Sequence, residues 1–264
     1  MITEQKFREA LVAALNSDTI YIKGGFGLKL DKKGKDRCIA AYDYNKEREA
    51  KIRECHNEYF GFDCCGLVKG SAGGFTGDIN RTYGGAIYNK DHTLGPHHDI
   101  PDATEKGLID ICKNVTKCKK VKNPDIPALA LLWMTGHCGV YIGDNKVVES
   151  TPSGSDGVQI TEYDSKNWMK WGLLPFVEYA AHDTTGIHAT VPPVARPTLR
   201  VGSKGLQVYY LQQDLNYRGA HLEEDGIFGS LTDAAVRQFQ KYYKLDIDGI
   251  YGPITHKKML EVIR

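Results

Sequence analysis

Two phrases near the C-terminus, DGIFGSLTDAAVRQFQ (225–240) and DGIYGPITHKKMLEVI (248–263), share one opening, Asp-Gly-Ile-aromatic-Gly, at a spacing of 23 residues (248 − 225). Such repetition constrains the fold twice over. Each Asp-Gly predicts a turn, each Ile and aromatic residue a buried pair, and each second glycine the start of a helix. Ser230 is the expected N-cap of the first helix, and Pro253 suits the first turn of the second. Val208, Leu211 and Leu215 fall at i, i+3 and i+7, as do Val236, Phe239 and Tyr243, which gives two amphipathic helices facing a common core, with a third near 254–263. Upstream, AHDTTGIHATVPPVARPTLR carries three prolines and no helical or strand period, the composition of an exposed linker. The expected organisation is a first domain over 1–180, a linker over 181–197 and a small all-α three-helix domain over 198–264.

That last stretch resembles the peptidoglycan-binding domain type 1 family, through VGSKGLQVYYLQQDLN, the DGIFG turn and FQKYYKLDIDGIYGP. The resemblance covers nearly the whole module and implies attachment to bacterial peptidoglycan. Tyr209, Tyr210, Tyr217 and Tyr242 outnumber the rings so small a core can hide, and exposed rings stack on sugars. For any single one of them, packing is the plainer expectation.

At 264 residues the chain is long enough for two ordinary domains, each with its own core. Its 41% hydrophobic and 25% charged residues are those of a globular protein, and no stretch approaches the roughly 20 apolar residues of a membrane helix. The opening MITEQKFREALVAALNSDTIYIKGG has no basic start followed by an apolar run, so a first helix is expected there rather than a signal peptide. A formal net charge of +1 argues against nucleic acid as a partner, because phosphate recognition calls for a basic excess. The seven cysteines are odd in number and irregularly spaced, which suits reduced thiols rather than a disulfide framework. Their spacing also lacks the paired Cys-x-x-Cys knuckles of a zinc ribbon.

Residues 61–68 read GFDCCGLV, a pairing of thiols open to three readings: metal site, redox pair, or one nucleophile with a neighbour. Asp63 is placed to cap a buried helix beginning at the cysteines, which puts both thiols in its first turn, where backbone N–H groups favour a thiolate. A thiol nucleophile needs a base. Of nine histidines, His92, His97 and His98 sit in a polar Gly/Pro-flanked segment, and His182 and His188 in the linker. His137 stands apart, at the head of GHCGVYIGDNKVVES, which reads as a hairpin. It shares one strand face with Gly139 and Tyr141, while Cys138, Val140 and Ile142 share the other. Glu149, at an even separation of 12 from His137, lies across from it if the loop holds an odd number of residues; a two-residue turn at Asp144-Asn145 sets it across from Val140 unless a bulge intervenes.

These motifs resemble the NlpC-type family of papain-like cell-wall cysteine peptidases: YIKGG (21–25), FDCCGLV (62–68), GHCGVYIG (136–143) and Glu149 stand in family order. The similarity spans about residues 5–180. It implies an α+β papain-like domain with an antiparallel sheet beginning after about 125, Cys64 as nucleophile, His137 as base, Glu149 as the residue orienting the imidazole, and Tyr21 as an active-site phenol. Asp63 and Cys65 would line the substrate side, with Cys65 in the usual serine position. The insertion between YIKGG and FDC, and the segment 70–125, would shape the substrate groove. Trp168 and Trp171 are expected to be core packing, and Cys55, Cys112, Cys118 and Cys138 structural. The implied function is an endolysin-like peptidoglycan hydrolase, made in the cytoplasm without a signal peptide and acting on the wall after release. It would cut a stem-peptide amide bond by a Cys-His-Glu mechanism with no cofactor, no metal and no membrane insertion. Alternatives are an N-acetylmuramoyl-L-alanine amidase with the same residues, an acyltransferase on the same fold, and a non-catalytic wall-binding protein.

Overall fold

The computed structural model describes residues 1–96, 99–122, 124–179, 198–204 and 206–262. The expected linker over 181–197, together with His97, His98, His182 and His188, lies outside the described residues. The chain divides into two compact units, Met1–Gly186 and Ile187–Arg264. The first mixes helix and sheet; the second is helical.

The first unit runs β1 (Ile2–Thr3), α1 (Glu4–Asn16), β2 (Thr19–Tyr21), β3 (Phe26–Lys29), α2 (Lys32–Ala41), α3 (Asp43–Glu47), α4 (Glu49–Glu54), β4 (Phe60–Phe62), α5 (Cys64–Ala72), β5 (Thr93–Leu94), β6 (Ile100–Pro101), α6 (Glu105–Ile111), β7 (Lys113–Lys117), β8 (Leu131–Met134), β9 (His137–Gly143), β10 (Lys146–Thr151), β11 (Gly157–Glu162), β12 (Lys170–Leu173) and β13 (Val177–Glu178). Six strands form an antiparallel sheet in the order β11-β10-β9-β8-β12-β7. It begins at Lys113, earlier than the expected start after about 125. β7 is exposed at every residue and pairs only with β12 at the sheet edge, so it has no hydrophobic alternation to announce it.

A second sheet departs from the single antiparallel sheet expected. β4 lies between β2, parallel to it, and β3, antiparallel to it. These strands are three or four residues long, too short to show a period of two. Their pairing sets Tyr21 beside Phe62, one residue before the cap of α5. Every residue of α5 is buried, and its glycines let it approach the preceding loop backbone to backbone. A Cβ on Gly66 would lie 1.7 Å from the carbonyl oxygen of Gly25, and one on Gly70 2.5 Å from that of Phe26. In this close seat the Asp63 N–H donates to Gly25 O at 2.8 Å.

The insertion between YIKGG and FDC folds as α2, α3 and α4 and clasps the strand that carries Tyr21. Asn45, fully buried, accepts from Lys23 N–H at 3.0 Å and donates to the carbonyls of Lys23 at 3.0 Å and Cys38 at 2.9 Å. Arg48 donates to the Tyr21 carbonyl and pairs with Asp156, 5% exposed, at 2.5 Å; Lys51 reaches the same carboxylate at 2.5 Å.

The second unit comprises α7 (Leu206–Tyr217), α8 (Ser230–Tyr242) and α9 (Pro253–Val262). Val208, Leu211, Leu215, Val236 and Phe239 meet Phe228 and Tyr251 in one core. The two repeats are held by the same device. Gln212 on α7 donates to Asp225 Oδ1 (2.8 Å) and Ile227 O (3.1 Å) and accepts from Gly226 N–H (2.8 Å). Gln240 on α8 donates to Asp248 Oδ1 (2.7 Å) and Ile250 O (3.0 Å) and accepts from Gly249 N–H (2.9 Å). Gly226 and Gly249 adopt φ of 70° and 71°, the left-handed conformation each Asp-Gly turn requires. Ser230 is not the cap of α8: Gly229 is, without a side-chain bond, and its carbonyl takes the Asp233 N–H at 3.0 Å. Of the four tyrosines singled out, Tyr209 and Tyr210 are buried, whereas Tyr217 and Tyr242 are each 74% exposed. Among the described residues, no helix is long and apolar enough to cross a membrane.

Candidate active site

Asp63 caps α5 and ties it to the loop before β3: Oδ1 accepts from Gly66 N–H at 2.5 Å and Oδ2 from Gly24 N–H at 2.7 Å. Burial and the neighbouring Cys64 charge nevertheless raise its carboxyl to about 6, above the ordinary value of 3.8. Cys64 and Cys65 occupy the first turn, 6% and 8% exposed. The sequence left open which of the two is the more acidic; the fold separates them. Cys64 is driven well below the usual thiol range, by hydrogen bonds from the Cys138 and Cys65 thiols and then by the imidazole of His137, against the opposing effect of burial. Cys65 goes the other way: a hydrogen bond from Cys138 favours its thiolate, but the Cys64 sulfur and burial outweigh it.

The sequence puts Cys138 on the strand face opposite His137, among the thiols expected to be structural. It is fully buried, and its thiol donates to Cys65 Sγ at 3.9 Å. The three sulfurs thus form a cluster in which Cys64 and Cys65 are 3.8 Å apart.

His137 and Glu149 meet through a bulged hairpin. Gly143 pairs with Lys146 around a two-residue Asp144-Asn145 turn, both residues at positive φ (48° and 62°). The register then shifts, so that Val147 faces Tyr141 and Val148 faces Val140. Continued along the strands, this register sets Glu149 opposite Gly139 rather than Val140. The bulge restores Glu149 to the face of His137, and Gly139, having no side chain, leaves the diagonal between them clear. Nε2 of His137 is hydrogen bonded to Glu149 Oε2.

Glu149 has no solvent exposure, and its other oxygen accepts from Lys166 at 2.5 Å and Thr161 at 2.6 Å. Burial alone would raise its pKa, but the hydrogen bonds from His137, Lys166 and Thr161 prevail and hold it below the ordinary glutamate value. His137 shows the complementary balance. Burial disfavours the imidazolium, while hydrogen bonds and charge from Cys64 and Glu149 raise it from 6.5 to about 9. With Nε2 held by Glu149, Nδ1 is the ring nitrogen left for the sulfur.

Trp168, expected as core packing, is indeed 5% exposed, and it also stacks on the imidazole, with ring centroids 5.7 Å apart at 22°. Sequence reasoning missed Trp168 in this part, and missed Lys166 and Thr161 altogether. Thr161 is legible only once the β10–β11 register (Val147 opposite Thr161) is known, and Lys166 and Trp168 sit in an irregular stretch with no motif. The phenol of Tyr21 is pushed above the usual tyrosine range by burial first and by the charges of Cys64 and Asp63 next, which sets it in the field of the same site. A cavity of about 320 Å³ opens beside His137, lined also by Met134, Thr151, Lys166 and Asn167. A second, of about 290 Å³, shares Lys166 and Asn167 and is lined by Lys119, Lys120 and Lys122.

Residues 204–259 match the family described as "Putative peptidoglycan binding domain". The chain is 46% identical over 68 residues to a zinc D-Ala-D-Ala carboxypeptidase of Streptomyces albus G, over 25% of this chain and 27% of that protein. It is 32% identical over 98 residues to a spore cortex-lytic enzyme of Halalkalibacterium halodurans, over 36% of this chain and 28% of that one. Among solved structures, the SleB N-terminal domain is 31% identical, with a TM-score of 0.26, over 26% of this chain and 96% of that chain. The chain therefore spans little more than a quarter of the length of these two curated relatives. The second unit carries a peptidoglycan-binding domain, and these two relatives are named as cell-wall hydrolases.

Proposed function

We propose that the first unit is a thiol amidohydrolase of the papain-like, NlpC type and that the second delivers it to peptidoglycan. The observation that carries this reading is the pairing of an acidified Cys64 with a His137 raised to about 9, whose ring is fixed by a fully buried Glu149. At neutral pH such a pair stands as thiolate and imidazolium, so the nucleophile carries its charge and the proton for the leaving group is already in place.

The Cys64 thiolate attacks the amide carbonyl, and His137 protonates the departing amine as the tetrahedral adduct collapses to a thioester. Water, deprotonated by the now neutral imidazole, releases the acid and regenerates the thiol. The oxyanion would be held by amides at the head of α5, where Asp63 occupies the Gly66 N–H but not those of Cys64 and Cys65, with the Tyr21 phenol as a further donor. Glu149 acts through His137 by holding its tautomer. Asp63, with both oxygens bonded to backbone amides, serves the site as the clamp that seats α5 rather than as a substrate contact. The lysines of the two adjoining cavities suit the carboxylates of a stem peptide. An endopeptidase and an N-acetylmuramoyl-L-alanine amidase would use the same residues.

The test is digestion of purified peptidoglycan by wild-type and Cys64→Ala protein, with mass spectrometry of the fragments to name the bond. Digestion is expected to vanish in Cys64→Ala and to persist in the presence of a chelator. Activity that survives Cys64→Ala, or that a chelator abolishes, would overturn the reading.

A further inference from the structure

The proposed mechanism uses one sulfur of a group of three. Cys64, Cys65 and Cys138 place their Sγ atoms within 4.8 Å of one another. Two of the separations are 3.8 Å (Cys64–Cys65) and 3.9 Å (Cys65–Cys138). A tetrahedral ion bound to sulfur at about 2.3 Å has sulfur–sulfur edges of about 3.8 Å, so two edges of such a site are already in place. The third, at most 4.8 Å, needs to shorten by no more than about 1 Å (4.8 − 3.8). Among the described residues, this is the one group of three or more His, Cys, Asp or Glu side chains close enough to share an ion. Its members come from rigid elements: two from the first turn of α5 and one from β9, 73 positions along the chain.

We propose that Cys64, Cys65 and Cys138 form a binding site for one divalent thiophilic cation of the zinc or cadmium kind, and that the bound ion switches the hydrolase off by taking the sulfur of Cys64. The inhibitory half rests on the reading of Cys64 as nucleophile; the binding half does not. Ligation is a proton exchange without redox change, in which each sulfur that still holds a proton gives it to solvent as its metal bond forms. Charge selects the ion. Three thiolates with a divalent cation leave one net negative charge and with a monovalent cation two, in a buried place where Asp63 is already nearby. The single negative charge suits the amide-rich head of α5 and Lys69, whose ammonium interacts with Cys65.

The experiment uses the full chain, reduced with a phosphine. It is titrated with Cd²⁺, read by thiolate-to-metal charge-transfer absorbance, and with Zn²⁺ in competition with a chromophoric chelator. One equivalent is expected to bind with the absorbance of three thiolates. Zn²⁺ should protect Cys64 from alkylation and stop wall digestion, and a chelator should reverse both. Cys138→Ala should bind at least about tenfold more weakly, since even outer-shell changes at metal sites cost roughly 10–100-fold. If circular dichroism shows that variant unfolded, Cys138→Ser preserves the volume and carries the same expectation. Full retention of the Cd²⁺ signal by the folded variant, or alkylation of Cys64 unaffected by one equivalent of Zn²⁺, overturns the site. Wild-type protein that binds through three thiolates yet never digests wall upholds the site and overturns the hydrolase reading.

Discussion

At the scale of single residues, the site turns on two opposed titrations. His137 is raised from 6.5 to about 9, so the imidazolium that would protonate the leaving amine in the proposed mechanism persists through neutral pH and is lost as pH climbs through about 9. Wall digestion measured as kcat/KM against pH should therefore fall on an alkaline limb near 9. Because the folded value lies above the ordinary one, the same pairing contributes stability that is complete below about 6.5 and disappears as pH rises through about 9. Glu149→Gln removes a charge that favours the imidazolium. The alkaline limb should shift to lower pH and the rate should fall at least roughly tenfold, as for loss of the carboxylate in other orienting triads. An unshifted limb in that variant would remove Glu149 from the site. The choice between the two adjacent cysteines also belongs to this scale. The FDCCGLV string places both in one helical turn, and tertiary neighbours pull their acidities apart: the Cys138 thiol and the His137 imidazole favour the Cys64 thiolate, whose charge, with burial, raises Cys65.

At the scale of elements, the insertion α2–α4 is more than groove decoration, because it fixes the strand that carries Tyr21. Arg48→Ala would leave Asp156, 5% exposed, with the more exposed Lys51 and the Tyr21 N–H at 3.4 Å, and would free the Tyr21 carbonyl. We expect a loss of about 3 kcal/mol in urea unfolding of the first unit, the lower end for breaking a buried ion pair because Lys51 remains. A change within a few tenths of a kcal/mol would show that Asp156 is effectively solvated. In the second unit, Gln240 answers the donors and acceptors of one Asp-Gly turn much as Gln212 answers the other. Gln240→Ala should cost about 1–3 kcal/mol by stranding the buried Gly249 N–H, a loss readable in the thermal midpoint of that unit. Neither glutamine shows in a pattern of hydrophobic spacing, since each sits on a helix whose apolar positions already account for its core face. The repeated turn was legible; the clamp that holds it was not.

At the scale of the whole molecule, the proposed function assigns chemistry to the first compact unit and attachment to the second. A chain ending at residue 179 should keep the thiol chemistry on soluble wall fragments while co-sedimenting less with intact peptidoglycan. Equal sedimentation of the truncated and full chains would place wall affinity in the first unit. The sequence by itself determined the helical second unit, whose turns and helix starts are written in contiguous residues, and the capped helix with two thiols at its head. It also put His137 and Glu149 on one hairpin, because local backbone rules act over a few positions and leave their marks there. The tertiary structure alone decided the parallel pairing of β2 with β4, the exposed edge strand β7 and the bulge that turns Glu149 toward His137. It also supplied the support from Lys166, Thr161 and Trp168, and the third sulfur beside the first two. Each of these depends on side chains or strands brought together across long stretches of chain, or on a register that shifts by one residue, and packing settles such matters where no local propensity reaches.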